Sequence, residues 1–253
     1  MDRQIVISAK HLKKAFGKGE SRQVIYSDLN IDIYKGDFTV IMGSSGAGKS
    51  TLMYSLSGMD KPDGGEIFFD GTDITKLNND KLAVFRRGEC GFVFQQIYLI
   101  DKMNLMDNVV TAGVLTSKDR EGIKKRAREL FDLVNLPEKT WKKTSSQISG
   151  GEAQRAGIVR AVINNPNVLF ADEPTGALNS ANSGAVLDVF TSLHQKGQSI
   201  VMVTHDKKSA LRGNRIIYIK DGKIFGECDL GKFEPDNPER TEKLDAFIRE
   251  MGW

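Results

Sequence analysis

The pattern of apolar and polar residues changes twice along the chain, and each change indicates a different kind of structure. Up to about residue 70, apolar residues alternate with polar ones, as at Leu29, Ile31 and Ile33. Alternation with a period of two is typical of strands that have one buried face. We expect these early strands to be antiparallel and to lie beside the mostly apolar run Phe38–Met42.

The second stretch, Asn104–Asn164, is helical in its spacing, and within it Lys118–Asn135 predicts a charged helix. After it the chain returns to alternating strands and helices. Val168–Ala171 is a continuous apolar run, which is typical of a parallel strand covered on both faces. The pattern then predicts a helix over Ser183–Gln195 and a buried strand over Ser199–Val203.

The end of the chain predicts a hairpin and then a helix. Arg215–Phe225 places the turn pair Asp221-Gly222 between two β-like runs. The last residues carry an apolar face at helical spacing, which either packs on the domain or docks a partner. The residues of this face are Leu244, Phe247, Ile248 and Met251.

Composition narrows the class of protein. The chain has 253 residues, of which 40% are hydrophobic and 27% charged, enough for one large domain with a subdomain. Apolar runs such as Ile200–Val203 are far shorter than the ~20 residues of a membrane span. Met1–Gln4 leads directly into an expected strand, so we expect no signal-peptide apolar region there. A net charge of +3 does not indicate nucleic acid, and Cys90 and Cys228 have neither metal nor redox spacing. We therefore expect a cytosolic protein that would be recruited if it acts at a membrane.

The most specific motif lies between the run Phe38–Met42 and an expected helix, Lys49–Leu56. Its Gly-x-x-x-x-Gly-Lys-Ser pattern predicts a P-loop, whose backbone N–H groups and following helix N-terminus surround phosphate oxygens. Lys49 would contact the β- and γ-phosphates and Ser50 would bind Mg²⁺. A chance glycine-rich turn is the alternative interpretation. The loop consists of Gly43, Ser44, Ser45, Gly46, Ala47, Gly48, Lys49, Ser50 and Thr51.

Polar residues follow two of the expected buried strands. Asp172 and Glu173 end the run that begins at Val168, where ligands of parallel sheets collect. Asp172 would hold Mg²⁺, and Glu173 would polarise an attacking water. His205 follows the next strand and would donate to the γ-phosphate or to that water. The alternatives are a solvated loop before Pro174 and an ordinary surface histidine.

A second glycine motif, Ser149-Gly150-Gly151-Glu152, precedes a helix that we expect to end near Asn164. Ser149 with Glu152 three residues later forms a capping box, which requires no function. Two glycines in a first helical turn lower helix stability, however, and they are explained if an anion approaches the N–H groups. The capping box therefore explains the ends of the motif, and we expect an anion to explain its middle.

In their order along the chain, these motifs resemble those of the ATP-binding-cassette (ABC) ATPases. Gly43–Thr51 is similar to the Walker A motif, Gln95 to the Q-loop, Ile148–Glu152 to the signature, Val168–Glu173 to Walker B, and His205 to the switch histidine. Two further segments, Ala171–Leu178 and Phe16–Gly19, are similar to the subgroup that serves macrolide export, lipoprotein release and bacitracin-type peptide resistance.

The resemblance implies an α/β fold with a P-loop NTPase core, an N-terminal antiparallel β subdomain and an inserted α-helical subdomain. Residues 1–253 would form one such domain. The core, with its β subdomain, would comprise residues 1–95 and 166–230. The helical signature subdomain would be 96–165, and 231–253 a C-terminal helical tail.

The resemblance also implies the site and the partners. Phe16 would stack on adenine, and Ser50, Gln95 and Asp172 would hold Mg²⁺. Two copies, expected to be a homodimer, would close head to tail on ATP. Each ATP would lie between one P-loop and the other copy's Ser149–Gly151. A separate membrane permease would dock on Gln96–Asp107, placing the ATPase at the inner face of the cell membrane, with no nucleic acid partner.

Peptide resistance or export is the leading function, and lipoprotein release, cell division and small-solute import are alternatives. The ABC ATPases of DNA repair and translation fit the motif spacing and the single cassette less well. A generic P-loop kinase or GTPase would not need the second glycine motif. Ile148 and Glu152 depart mildly from the family's usual residues. Asn179 stands at the D-loop position, where the family generally has Asp, so contacts across the dimer are expected to be altered.

Overall fold

The structure is a computed structural model that describes residues 3–253, so Met1 and Asp2 of the predicted N-terminus lie outside the described residues. Its strands are β1 (Ile5–Phe16), β2 (Gln23–Tyr34), β3 (Phe38–Gly43), β4 (Gly64–Phe69), β5 (Thr72–Asp73), β6 (Cys90–Phe94), β7 (Val168–Asp172), β8 (Ser199–Val203), β9 (Arg215–Lys220) and β10 (Lys223–Asp229). Its helices are α1 (Lys49–Leu56), α2 (Asn79–Glu89), α3 (Leu105–Gly113), α4 (Arg120–Leu133), α5 (Glu138–Trp141), α6 (Gly150–Val162), α7 (Ser180–Gln195), α8 (Lys207–Ala210) and α9 (Pro238–Glu250).

The chain divides into two compact units. The first contains the residues up to Arg86 together with Gly197–Trp253, and the second is Arg87–Lys196. The functional division predicted from the sequence, with a helical subdomain at 96–165, stays a prediction.

In the first unit, β3 is buried along its whole length and pairs in parallel with β8 and β9. Val40 lies opposite Met202 on one side and Ile216 on the other. The early strands instead form a separate antiparallel sheet in the order β2-β1-β4-β5. The expectation that the early strands are antiparallel is confirmed, but none of these described strands pairs with Phe38–Met42. Apolar runs that are buried on both faces are typical of parallel sheets, and alternating strands are typical of antiparallel ones.

The last helix also belongs to the first unit. The apolar face predicted for it is buried, with Leu244 fully covered and Phe247, Ile248 and Met251 nearly so. Met251 and Phe247 contact β10 at Gly226. Of the two interpretations of this face, packing on the chain itself is therefore confirmed.

In the second unit, β6 and β7 pair in parallel, from Cys90 opposite Val168 to Phe94 opposite Asp172. The expected charged helix appears as α4, and its buried Phe131 stacks on Trp141 with ring centroids 5.3 Å apart. In residues 3–253, no helix combines the length and the apolar character that crossing a membrane requires.

Helix α7 begins three residues before the predicted start at Ser183. The reason is Asn179, whose side-chain oxygen accepts a hydrogen bond of 3.0 Å from the Asn182 N–H. This satisfies one of the N–H groups that a helix leaves unpaired in its first turn. Asn179 is thus an N-cap, and Asp serves this position equally well.

We expect Asn179→Ala to lower the free energy of unfolding by about 1 kcal/mol, because the cap is lost. Asn179→Asp keeps an acceptor oxygen and should change stability by less than about 0.5 kcal/mol. Urea unfolding of the three proteins measures both effects. Equal losses in the two variants would show that the cap does not explain the early start of α7.

Candidate functional site

The glycine-rich loop connects β3 to α1, as the sequence predicts. At Gly43 (φ +149°) a Cβ atom would lie 2.2 Å from the Ile219 carbonyl oxygen, and at Gly48 (φ +90°) 2.5 Å from the Ile25 side chain. Neither position can carry a side chain without displacing its neighbours. Ser44, Ser45 and Gly46 are exposed, Ala47 is buried, and Gly48, Lys49, Ser50 and Thr51 are half-buried.

Lys49 brings a positive charge to this loop. Its ammonium group donates to the carbonyl oxygens of Gly43 and Ser44, at 2.9 and 2.8 Å. The charge therefore lies beside the exposed part of the loop and close to the N-terminus of α1. An ammonium group, flexible backbone and a helix N-terminus together fit a phosphate chain.

His205 lies at the same edge of the sheet as this loop. β8 runs parallel to β3, with Val203 opposite Ile41, and the next N–H, that of Thr204, donates to the Ile41 carbonyl oxygen at 3.3 Å. His205 is exposed, directly after the fully buried Thr204. Parallel pairing thus brings together the P-loop and the histidine, which the sequence separates by more than 150 residues.

Phe16 ends β1, and its side chain is 47% exposed. The ammonium group of Lys14 lies over the ring, 5.1 Å from its centroid. Lys14 is itself buried and donates to Asp60 and to the Lys61 carbonyl oxygen, at 2.8 and 2.7 Å. A cation therefore contacts the ring. Lys14 and Phe16 are two residues apart on one strand, a spacing that places side chains on the same face, whereas the partners that hold Lys14, Asp60 and Lys61, are distant in the chain.

In the second unit, parallel pairing produces a similar arrangement. Gln95 follows β6 and Asp172 ends β7, directly across from Phe94. The amide nitrogen of Gln95 lies 3.0 Å from the position that a Cβ atom would take at Gly176. The Gly176 N–H donates to the Glu173 carbonyl oxygen at 3.0 Å, which closes a turn. Gln95, Asp172 and the turn that begins at Glu173 are thus neighbours.

Glu173 has a left-handed backbone conformation, with φ +46°. A residue other than glycine pays about 1–3 kcal/mol of strain in sparsely populated backbone regions, and such strain clusters at functional sites. Pro174 follows, and a proline further restricts the residue before it. The charge of Glu173 is visible in the sequence, whereas the strain is visible only in the backbone conformation.

The signature motif contains the predicted capping box. Ser149 caps α6: its hydroxyl accepts from the Glu152 N–H at 3.3 Å, while the Glu152 carboxylate accepts from the Ser149 N–H at 2.9 Å. The hydrogen bond from the Ser149 N–H is the main cause that lowers the pKa of the Glu152 carboxyl. The ends of the motif therefore have a structural explanation.

The two glycines of this motif differ. At Gly151 a Cβ atom would lie 2.8 Å from the side chain of Asn182, so close helix packing alone requires glycine there. Gly150 is exposed, and a Cβ atom would meet only the end of Leu178, at 3.3 Å. Packing therefore explains Gly151, whereas an approaching anion remains an explanation for Gly150.

Two residues that the sequence analysis missed connect α6 to the segment after Gln95. Buried Gln154 donates to the Phe94 carbonyl oxygen at 3.0 Å. Arg160 donates to the carbonyl oxygens of Ile97, at 2.7 Å, and of Tyr98. Both lie on the helix that the signature begins, and no local sequence pattern marks such contacts.

The residues expected to bind Mg²⁺ supply suitable atoms. Ser50, Gln95 and Asp172 offer hydroxyl, amide and carboxylate oxygens, the ligand types that Mg²⁺ prefers. Across residues 3–253, no group of three or more His, Cys, Asp and Glu side chains could hold a metal ion by itself. The assignment of these ligands stays a prediction.

The lowered pKa of Glu152 predicts a pH-dependent stability. A carboxyl whose pKa is lower in the folded state stabilises the fold above its unfolded pKa, and this contribution is lost as pH falls through the folded pKa. Glu152→Gln keeps an acceptor but cannot ionise. At neutral pH, we expect the free energy of unfolding of wild type to be higher than that of Glu152→Gln by less than about 1 kcal/mol. Near pH ~3.5 this difference should shrink.

Denaturant unfolding at both pH values measures this difference, with Glu129→Gln on the exposed face of α4 as the matched control. A difference between wild type and Glu152→Gln that does not change with pH would contradict the lowered pKa.

Comparison with known proteins agrees with this geometry. The family model described as ABC transporter matches residues 26–176. An uncharacterized ABC transporter ATP-binding protein of Methanocaldococcus jannaschii is 39% identical over 87% of this chain and 97% of its own length. The macrolide export ATP-binding/permease protein MacB of Neisseria gonorrhoeae is 39% identical over 98% of this chain but 37% of its own length. This chain thus spans about a third of the length of the MacB proteins that it matches.

Among solved structures, the dimeric ATP-binding cassette MJ0796, in a post-hydrolysis state with ADP and Pi, aligns with a TM-score of 0.81 and 36% identity. The alignment covers 90% of this chain and 100% of that one. The cassette cbiO1 of Clostridium perfringens also aligns with a TM-score of 0.81. Because it is only 22% identical, this similarity is evidence of the fold alone. The chain belongs to the ABC transporter family, and its fold is that of the family's ATP-binding cassette.

Proposed function

We propose that this chain is the ATP-hydrolysing subunit of a membrane transporter whose permease is a separate chain. The observation that carries the proposal is Glu173, a carboxylate held in a strained conformation directly after Asp172 and beside Gln95. Strained residues cluster at functional sites, and Glu173, unlike the other described non-glycine residues at positive φ, directly follows a buried parallel strand that ends in a carboxylate, that of Asp172. The P-loop and His205 at one sheet edge in the first unit support the same proposal.

Each residue has a distinct part in the proposed reaction. Phe16 stacks on the base, while Lys49 and the N–H groups of the P-loop bind the phosphates. Glu173 accepts a proton from the attacking water, and His205 donates a hydrogen bond to the γ-phosphate. Mg²⁺, held by Ser50, Gln95 and Asp172, would neutralise charge on the phosphate oxygens.

The proposed active form is a head-to-tail homodimer in which Ser149 and Gly150 of one copy contact the nucleotide on the P-loop of the other. Two observations support it. Gly150 is exposed at the N-terminus of α6, where backbone N–H groups attract anions. The cassette MJ0796 has also been solved as a dimer.

The permease is proposed to dock on the segment 96–107, at the inner face of the cell membrane. Tyr98 is 60% exposed and Ile100 47%, so this segment presents apolar area to a partner. Arg160 and the buried Asn108 fix the backbone of the segment, since Asn108 accepts from the Ile100 N–H at 2.7 Å. A fixed segment can transmit movement between Gln95 and a docked partner.

We propose that the transporter serves antimicrobial peptide resistance or export, or is a related mechanotransmission-type system. The names of the MacB relatives support an exporter, and they make macrolides a second candidate cargo. Lipoprotein release and cell division are the remaining functions of the same class.

We expect Glu173→Gln to reduce steady-state ATP hydrolysis by at least about 100-fold, because the proton acceptor is lost. ATP binding should persist, so an ATP-bound dimer should accumulate in size-exclusion chromatography. Glu129→Gln, the same change on an exposed helix, should leave turnover unaltered. Unchanged hydrolysis by Glu173→Gln would overturn the assignment of Glu173 and with it the proposed mechanism.

Ser149→Ala tests whether the signature acts beyond capping. Loss of the cap should lower the free energy of unfolding by about 1 kcal/mol, while turnover should fall far more than this small change in folded fraction explains. Asp119→Ala removes the N-cap of α4, whose carboxylate accepts from the Gly122 N–H at 2.9 Å, and is the matched control. A clear stability loss with normal turnover in both variants would mean that Ser149 only caps α6.

A further inference from the structure

Besides its buried apolar face, the C-terminal helix α9 carries a buried guanidinium group that binds the chain around it. Arg240, which is 5% exposed, lies in the first turn of the helix and donates hydrogen bonds to five backbone carbonyl oxygens. The acceptors are Leu211, Gly213, Leu230, Gly231 and Lys232. Burial lowers the pKa of Arg240, yet a guanidinium stays charged in proteins.

The acceptors lie in two segments, and one of them is the segment that continues from His205. Asp206 follows His205 and caps α8, with its carboxylate accepting from the Ser209 N–H at 2.7 Å. Arg240 then binds the two carbonyl groups just after α8, those of Leu211, at 2.8 Å, and Gly213. His205 is therefore connected to Arg240 through one capped helical turn, α8, and the hydrogen bonds that follow it.

A second contact joins the same two helices. Lys207, the first residue of α8, forms an ion pair with Asp245 of α9. Below the guanidinium, the Phe233 ring lies 5.6 Å from Arg240 and 4.8 Å from Arg212, which belongs to the segment after α8. Helix α9 therefore contacts both ends of the segment that follows His205, at Lys207 and after α8.

We propose that Arg240 is a positioning residue for His205. By fixing the carbonyl groups after α8, and together with Lys207 and Asp245, it sets where the imidazole stands relative to the P-loop at the same sheet edge. This inference rests on the proposed role of His205. The apolar face of α9 anchors the helix to the unit, whereas Arg240 and Asp245 are the residues that connect it to the segment behind His205.

A lysine cannot replace the guanidinium, because it has three donors on one nitrogen and no planar fork. We expect Arg240→Lys to lower kcat for ATP hydrolysis about 10-fold when assayed well below its Tm, since small displacements of a reacting group slow a reaction strongly. KM for ATP should change less than about twofold, because Phe16 and the P-loop are untouched. Glu242→Gln, an exposed position on the same helix, is the control.

The decisive measurement is a double-mutant cycle with His205→Ala. If Arg240 acts through His205, Arg240→Lys should cause no further loss of kcat in the His205→Ala background. A purely structural role predicts a lower Tm with unchanged kcat, or equal losses of kcat in both backgrounds, and either result would overturn the proposal. Normal kcat for His205→Ala alone would instead remove the proposed role of His205, whatever Arg240 does.

Should Arg240→Lys fail to fold, the ion pair provides a second route. Lys207→Asp should lower kcat without changing KM, and adding Asp245→Lys should restore it. Absence of both effects would contradict the idea that α9 positions the His205 segment.

Discussion

Parallel pairing of buried strands is the constraint on which the candidate site depends. Parallel strands end at the same edge of a sheet, so residues that follow them are brought together however far apart they lie in the chain. In the first unit, β3 and β8 place the P-loop and His205 at one edge. In the second, β6 and β7 do the same for Gln95 and Asp172. In both pairs the strands are mostly apolar, which is typical of parallel strands that are covered on both faces.

This constraint explains which parts of the fold could be predicted. Continuous apolar runs located β3, β7 and β8, and the glycine pattern located the loop and the helix α1 that follows it, because these signals are local. The partners of β3 were not predicted correctly, since strand pairing depends on residues distant in sequence. The start of α7 was missed because one side chain, Asn179, decides it.

The candidate site follows the same division. Charge and spacing selected Asp172, Glu173 and His205, but no pattern in the sequence indicates that Asp60 holds Lys14 or that Arg160 holds Ile97. The two glycines of the signature looked equivalent in sequence. Only packing separates Gly151, which a neighbouring asparagine requires, from Gly150, which is exposed. Sequence thus identifies the reactive groups better than the residues that support them.

The conformation of Glu173 also bears on how such a chain can change by mutation. At φ +46° glycine would fit the backbone with less strain, so selection for stability alone favours a residue without a carboxylate at this position. Under the proposed function, stability and activity are therefore in conflict at this residue. The surrounding strand, turn and proline have to supply the stability that keeps the strained glutamate in place.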